Sequence, residues 1–137
     1  MQNTSLTLQN IFCNIISSYF STQSINVFYT IPPKLSAPYI KINKISLLKQ
    51  LQANPNLITM QFGLTILTAG PSNTQILNII SDIDNNILFL LNGATDSLQT
   101  AKIRNSYIEE WSISEVIARK NWCGSCNLVI TGEPLIC

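Results

Sequence analysis

Histidine is absent from all 137 residues of this sequence. Imidazole is the usual general base that activates a serine or cysteine nucleophile, and it is a common zinc ligand. The composition therefore excludes Ser-His and Cys-His catalysis, histidine-ligated zinc sites and any imidazole acid–base role.

The sequence also contains few charged residues. Charged residues make up 11% of the chain and the net charge is +1, whereas a typical soluble protein has about 25% charged residues. A general nucleic-acid binder needs a basic excess, so no specific nucleic-acid partner is expected. Polarity comes from Asn, Ser, Thr and Gln, which is unlike a highly charged disordered chain.

Long hydrophobic runs are also missing, although 46% of the residues are hydrophobic. The richest stretch, Ile76 to Leu91, contains Asp82 and Asp84 and is too short to span a bilayer. The N-terminus has no basic segment before an apolar core, so no secretory signal and no membrane partner are expected. The excess apolar surface is then expected in a core or in a subunit interface.

Acidic residues are absent from positions 1–81, which hold four lysines, whereas positions 82–137 hold seven acids and four basic residues. Oppositely charged surfaces on two copies of a chain help to set partner and register. One interpretation of this asymmetry is chance in a charge-poor chain. The other is that the two halves meet between subunits.

Two amphipathic helices are predicted from three- and four-residue spacing of apolar side chains. The first covers about Thr4 to Phe20. The second covers Ser72 to Leu91, with Pro71 or Ser72 in its first turn and Asn92-Gly93 closing it. Its expected apolar stripe is Ile76, Ile79, Ile80, Ile83, Ile87 and Leu90.

Strands are predicted wherever apolar and polar residues alternate. The segments are Ile25–Ile31, Tyr39–Asn43, Leu57–Ala69, a weaker one at Leu98–Arg104, Tyr107–Ala118 and Trp122–Thr131. A long loop is expected at about 46–56 and a C-terminal tail at 132–137. The predicted fold is a single α+β domain over residues 1–137, with a mostly antiparallel four- to five-stranded sheet and two helices packed on one face.

The sequence Trp122-Cys123-Gly124-Ser125-Cys126 has the look of a thioredoxin-type redox site. No amphipathic helix follows it, and no βαβ unit precedes it. A four-cysteine zinc site would have to include Cys13 and the terminal Cys137, and a calcium loop at Asp82 lacks its glycine and glutamate. No catalytic, cofactor or metal site is predicted, and the protein is not expected to be an enzyme.

The order and spacing of these elements resemble the small tail-terminator (tail-completion) proteins of bacteriophages and prophages. The resemblance covers about residues 5 to 131. It rests on a leading helix, a proline-containing stretch before a strand, a long loop, an alternating strand followed at once by a helix, and two late strands. The segments that carry it are Ile31-Pro32-Pro33, Ala37-Pro38-Tyr39-Ile40-Lys41-Ile42, Ile58 to Ile66, Ser72 to Leu91, Tyr107 to Ala118 and Trp122 to Thr131.

The resemblance implies a homohexameric ring that caps the tail tube, stops its polymerisation and joins the tail to the neck. It implies a location in the virion tail after synthesis in the bacterial host cytoplasm. The partners would be further copies of the chain, the tail tube protein and a neck or head-completion protein. Residues expected at the subunit or tail-tube interface are Lys41, Lys44, Lys49, Glu109, Glu110 and Glu115.

Three alternatives remain open from the sequence. The chain could be another head–tail connector or minor tail component, a thiol oxidoreductase using Cys123 and Cys126, or a small domain that binds a peptide or ligand. Oligomer stoichiometry, thiol pKa and an apolar pocket in a monomer, respectively, would distinguish them.

Overall fold

A computed structural model describes residues 4–29, 37–50, 57–70, 72–116 and 121–135, with the backbone alone at positions 44 and 48–50. The chain begins with helix α1 (Thr4–Ser21), strand β1 (Asn26–Phe28), strand β2 (Tyr39–Gln50) and strand β3 (Ile58–Ala69). Helix α2 (Thr74–Asp82), a π-helical turn (Ile83–Ile87) and helix α3 (Leu88–Leu91) follow without interruption, and together they form the second helix. Strands β4 (Ala101–Val116) and β5 (Asn121–Pro134) complete the described chain.

The strands form a five-stranded sheet in the order β1-β2-β3-β5-β4. Three of its neighbouring pairs are antiparallel, as predicted, but β1 and β2 are parallel, so the sheet is mixed. Residues 29–38 separate β1 from β2, and a parallel pair needs such a longer connection rather than a tight turn. The predicted α+β class and the two helices are confirmed.

Both helices pack on one face of the sheet, which we call the inner face. Phe12 of α1 stacks on Phe62 of β3 with ring centroids 4.0 Å apart. A methyl group added at Gly132 would meet Leu8 of α1, and one added at Gly124 would meet Ile76 of α2. Side chains alternate between the two faces along a strand. The pairing of β3 with β5 therefore puts Phe62, Gly124 and Gly132 on the same face.

The core consists of the apolar sides of the helices against alternate residues of β3 and β5. Met60, Phe62, Leu64 and Ile66 of β3 are all buried. They are the residues that period-two alternation assigns to one face, and burying each is worth about 1.5–3 kcal/mol. The opposite side of the sheet, which we call the outer face, carries no helix in the described ranges.

Several predicted boundaries were wrong in ways that the structure explains. The segment from Ser46 to Gln50, expected in a loop, continues β2 because it pairs with β3 through Gln50. Gly132, expected in a tail, pairs with Ile103 inside β5. Positions 51–56 and 136–137 of those two predictions lie outside the described residues.

The second helix starts later than predicted. Thr74 is its first residue, and the Ser72 hydroxyl accepts a hydrogen bond from the Thr74 N–H at 3.1 Å. Gly93 closes the helix as expected, because its φ of +86° lies in the left-handed region that favours glycine.

Candidate subunit interface

The three lysines predicted at an interface all occupy outer-face positions of β2. Lys41 pairs with Thr65, Lys44 with Gly63 and Lys49 with Thr59, and these three partners are outer-face residues of β3. Simple alternation would separate positions 41 and 44. Register shifts between Ile42 and Lys44 and between Leu47 and Lys49 each insert one residue and keep the lysines on one face.

Two of the three predicted glutamates lie over the same outer face, on β4. A register shift between Ile108 and Glu110 makes Glu109 the extra residue of a bulge, and Glu110 pairs with Asn127. Gln61 Nε2 donates to Glu109 Oε2 at 3.5 Å, and Asn127 Nδ2 donates to Glu110 Oε1 at 3.5 Å. Neutral amides of β3 and β5 therefore orient both carboxylates across the outer face.

Glu115 lies on the other side of the sheet. It pairs with Trp122, which shares the inner face with Gly124 and Cys126. The structure thus brings Glu109 and Glu110 onto the face that carries the lysines and leaves Glu115 apart. The bulge at Glu109 causes this separation, since it reverses the alternation along the rest of β4.

The centre of the outer face is polar and uncharged. A depression of about 220 Å³ opens around Gly63, where no side chain fills the surface. Its walls come from β2, β3 and β5 and are Asn43, Gln61, Gly63, Leu64, Ser125 and Asn127. The sequence does not predict that these amides lie together, because neutral polar residues are common at strand positions. Only the register of the strands brings them to one place.

A second concavity lies at the edge of the sheet, between the second helix and β4, so it includes residues from both sides of that strand. This groove of about 630 Å³ is lined by Leu77, Ile80, Ser81, Asp84, Ile108, Glu109, Glu110 and Trp111. Trp111 is 51% exposed there. Regular alternation along the predicted strand Tyr107–Ala118 would put Tyr107, Trp111 and Ile113 on one face. The β4 bulge instead turns Trp111 and Ile113 inward and leaves Tyr107 outward.

The two cysteines of the redox-like motif point to opposite sides of β5. Cys123 pairs with Leu67 on the outer face, and Cys126 pairs with Leu64 on the inner face. Residues three apart in a strand stand about 10 Å apart, which is too far for a disulfide. Burial raises the pKa of the Cys126 thiol to about 12, and the nearby Asp84 charge adds to this. This geometry does not suit a dithiol redox pair or a reactive thiolate.

The remaining thiol and carboxylate contacts are structural. Cys13 Sγ contacts Tyr29 Oη where α1 meets the residue after β1. Burial raises the Cys13 pKa, although the Tyr29 contact lowers it in part. Asp96 accepts hydrogen bonds from the Thr100 hydroxyl and from the N–H groups of Thr100 and Ala101, and these hold its pKa below the usual value. They order the turn that enters β4.

The described residues contain neither a metal-binding cluster nor a membrane-spanning helix. No cluster of three or more His, Cys, Asp or Glu residues able to hold a metal ion occurs among residues 4–29, 37–50, 57–70, 72–116 and 121–135. Within those same ranges, none of the helices is both long enough and apolar enough to cross a bilayer.

Comparison with known proteins gives a likeness in fold. No family model matches the sequence, and no curated protein matches it. A solved chain from a structure described as "Virion of native gene transfer agent (GTA) particle" has the same fold, with a TM-score of 0.71 at 11% sequence identity. The match covers 97% of this chain and 99% of the other. At that identity the likeness is one of fold, and it extends over essentially the whole of both chains.

Proposed function

We propose that this chain is a structural protein of a phage-like virion that forms a ring at the end of the tail tube, stops tube growth and joins the tail to the neck. The observation that carries the proposal is the fold match over 97% of this chain with a chain of a gene transfer agent virion. The resemblance of element order to phage tail terminators narrows the virion role to the tail terminus.

The surface chemistry agrees with assembly rather than catalysis. Among the described residues, one face of the sheet carries no helix. The centre of that face is uncharged and consists of amides and hydroxyls together with Leu67, Cys123 and Val129. Depletion of charge is a feature of the cores of protein–protein interfaces. We propose a location in the virion tail, with other copies of the chain, the tube protein and a neck protein as partners, and no enzymatic activity.

Native mass spectrometry and electron microscopy of the purified protein test the ring. Six chains of 15.2 kDa would give a closed particle of about 91 kDa. Its function is tested by adding the protein to the tail-tube protein encoded in the same genome. Tubes should stop growing and carry a ring at one end. Unaltered tube growth would contradict the proposal.

The second candidate is another head–tail connector or minor tail component. The fold match supports this second function as well as the first, because the matching chain comes from a structure described only as a whole virion particle. Stoichiometry separates the two functions. A ring of another size that binds the neck protein, but leaves tube growth unaltered, would support the connector.

A further inference from the structure

The outer face divides into three zones along the strand order. Lys41, Lys44 and Lys49 lie at outer-face positions of β2, at one side of the sheet, and Glu109 and Glu110 lie on β4, at the other side. Strand β4 also carries Lys102 and Arg104, but these lie at its other end, beside Glu133. Between β2 and β4, β3 has no charged residue. The only charged residue of β5 is Glu133, which pairs with Arg104 near the end of that strand.

The strands that carry the two charged rows of a single copy are not neighbours in the sheet. The backbones of β2 and β4 are separated by three strand spacings of about 4.8 Å each, or roughly 14 Å. The Debye length at physiological ionic strength is about 8 Å, so attraction across this distance is largely screened. Among the described residues, Arg104–Glu133 is the only ion pair.

Strand β4 and the part of β2 that follows Lys41 lie at the edges of the described sheet. Strand β1 covers β2 only from Tyr39 to Lys41, and Lys44 and Lys49 lie beyond it. Strand β4 is the last strand at the opposite edge. A neighbouring molecule can therefore reach either row from the side without displacing any described element.

We propose that the β2 lysine row (Lys41, Lys44 and Lys49) of one copy contacts the β4 glutamate pair (Glu109 and Glu110) of the next copy. This inference rests on the proposed assembly of copies and assigns the surfaces that make it. Opposite charges on adjoining strands attract, and the two rows are complementary in sign. Because each copy uses two different surfaces, the contact is head-to-tail and closes into a ring if the rotation between copies allows it.

Charge reversal of either row tests the contact. Changing Lys41, Lys44 and Lys49 to Glu, or Glu109 and Glu110 to Lys, should weaken self-association by roughly 10–100-fold. An effect of this size is what the loss of two or three exposed ion pairs and the new like-charge repulsion would produce together. Sedimentation velocity across a concentration series measures the association.

Three further samples keep the test decisive if one variant folds poorly. A chain carrying both reversals should associate like the natural chain, and so should a mixture of the two single-row variants, because both restore opposite signs. Glu115→Lys is the matched control. It makes the same charge change in the same strand but on the inner face, so association should be unchanged.

The outcomes separate this inference from the proposed function. Unchanged self-association of each single-row variant, measured by itself, overturns the contact while leaving the ring role intact. Reversals that spare self-association but abolish binding to the tube or neck protein overturn the assignment of a second copy as the occupant. A chain that stays monomeric at all concentrations overturns both the contact and the proposed ring.

Discussion

Gly132 and Gly124 are positions of β5 where a helix side chain occupies the space that a strand side chain would need. A methyl group at Gly132 would lie 2.5 Å from Leu8 Cδ2 and 2.8 Å from the Lys102 carbonyl oxygen. At Gly124 it would lie 2.7 Å from Ile76 Cδ1. The difference matters because the end of an isoleucine can rotate, whereas a carbonyl inside a sheet cannot move away.

We expect Gly132→Ala to lower the free energy of unfolding by about 1–3 kcal/mol, as overpacking of a core does. Gly124→Ala should cost only about 0.5–1.5 kcal/mol, the cost of an off-rotamer side chain. Urea unfolding of the two variants beside the natural chain measures both values. Equal losses would show that the Lys102 carbonyl does not constrain this site.

Burial of the Cys126 thiol should make the stability of the protein fall at alkaline pH. Its pKa rises from 9.0 to about 12 on folding because the thiol is buried. The neutral thiol therefore stabilises the folded state fully below pH 9.0, and this contribution is lost as pH rises toward about 12. In that window the natural chain should lose up to about 1.4 kcal/mol per pH unit more than Cys126→Ala.

Urea unfolding at steps between pH 8 and pH 11 follows this difference, with Ser125→Ala as a control that removes no titrating group. Parallel stability curves for Cys126→Ala and the natural chain would contradict the burial of this thiol.

At the scale of the elements, irregular turns decide which residues face the core. The second helix contains a π-helical turn at Ile83–Ile87. This turn adds one residue and shifts the apolar stripe, so Leu91 is buried, whereas Leu90, expected in the stripe, is 46% exposed. The bulges of β2 and β4 likewise each insert one residue, and they decide which face the lysines and glutamates of these strands occupy.

The π turn can be tested with two neighbouring leucines. Leu91→Ala should lower the free energy of unfolding by about 2–5 kcal/mol because it empties a buried site. Leu90→Ala should change it by about 0.5 kcal/mol at most, as at other surface positions. Thermal or urea unfolding gives both values. Equal losses would mean that the helix is regular through Ile87, since positions three and four residues after Ile87 then flank the stripe equally.

At the scale of the whole molecule, the strand order creates a surface with two charged edges and a neutral centre. The sequence puts all seven acids after position 81, but β4 brings Glu109 and Glu110 to the face that carries Lys41, Lys44 and Lys49. One face of the sheet is covered by helices, and the other carries no helix among the described residues.

Association through the charged rows should depend on ionic strength. The screening length falls from about 10 Å at 0.1 M salt to about 3 Å at 1 M. We therefore expect the dissociation constant between copies to rise by about tenfold or more over this range. The chain with both rows reversed should show the same salt dependence. Sedimentation at several salt concentrations measures it, and salt-independent association would point to an apolar contact.

The amino-acid sequence by itself determined the α+β class, the two helices and most of the strands, because hydrophobic periodicity is a local property. The alternating residues of β3 and the glycine that ends the second helix are examples. The predicted interface residues followed from sequence-wide charge and a family resemblance, and their role in contacts stays a prediction.

Only the tertiary structure decided which faces these residues share. The parallel pairing of β1 with β2, the shift from Leu90 to Leu91 and the separation of Glu115 from Glu109 all depend on register, on bulges or on a π turn. Each of these irregularities inserts one residue and moves every later side chain relative to the core. Their positions are set by packing between distant segments, which local periodicity does not contain.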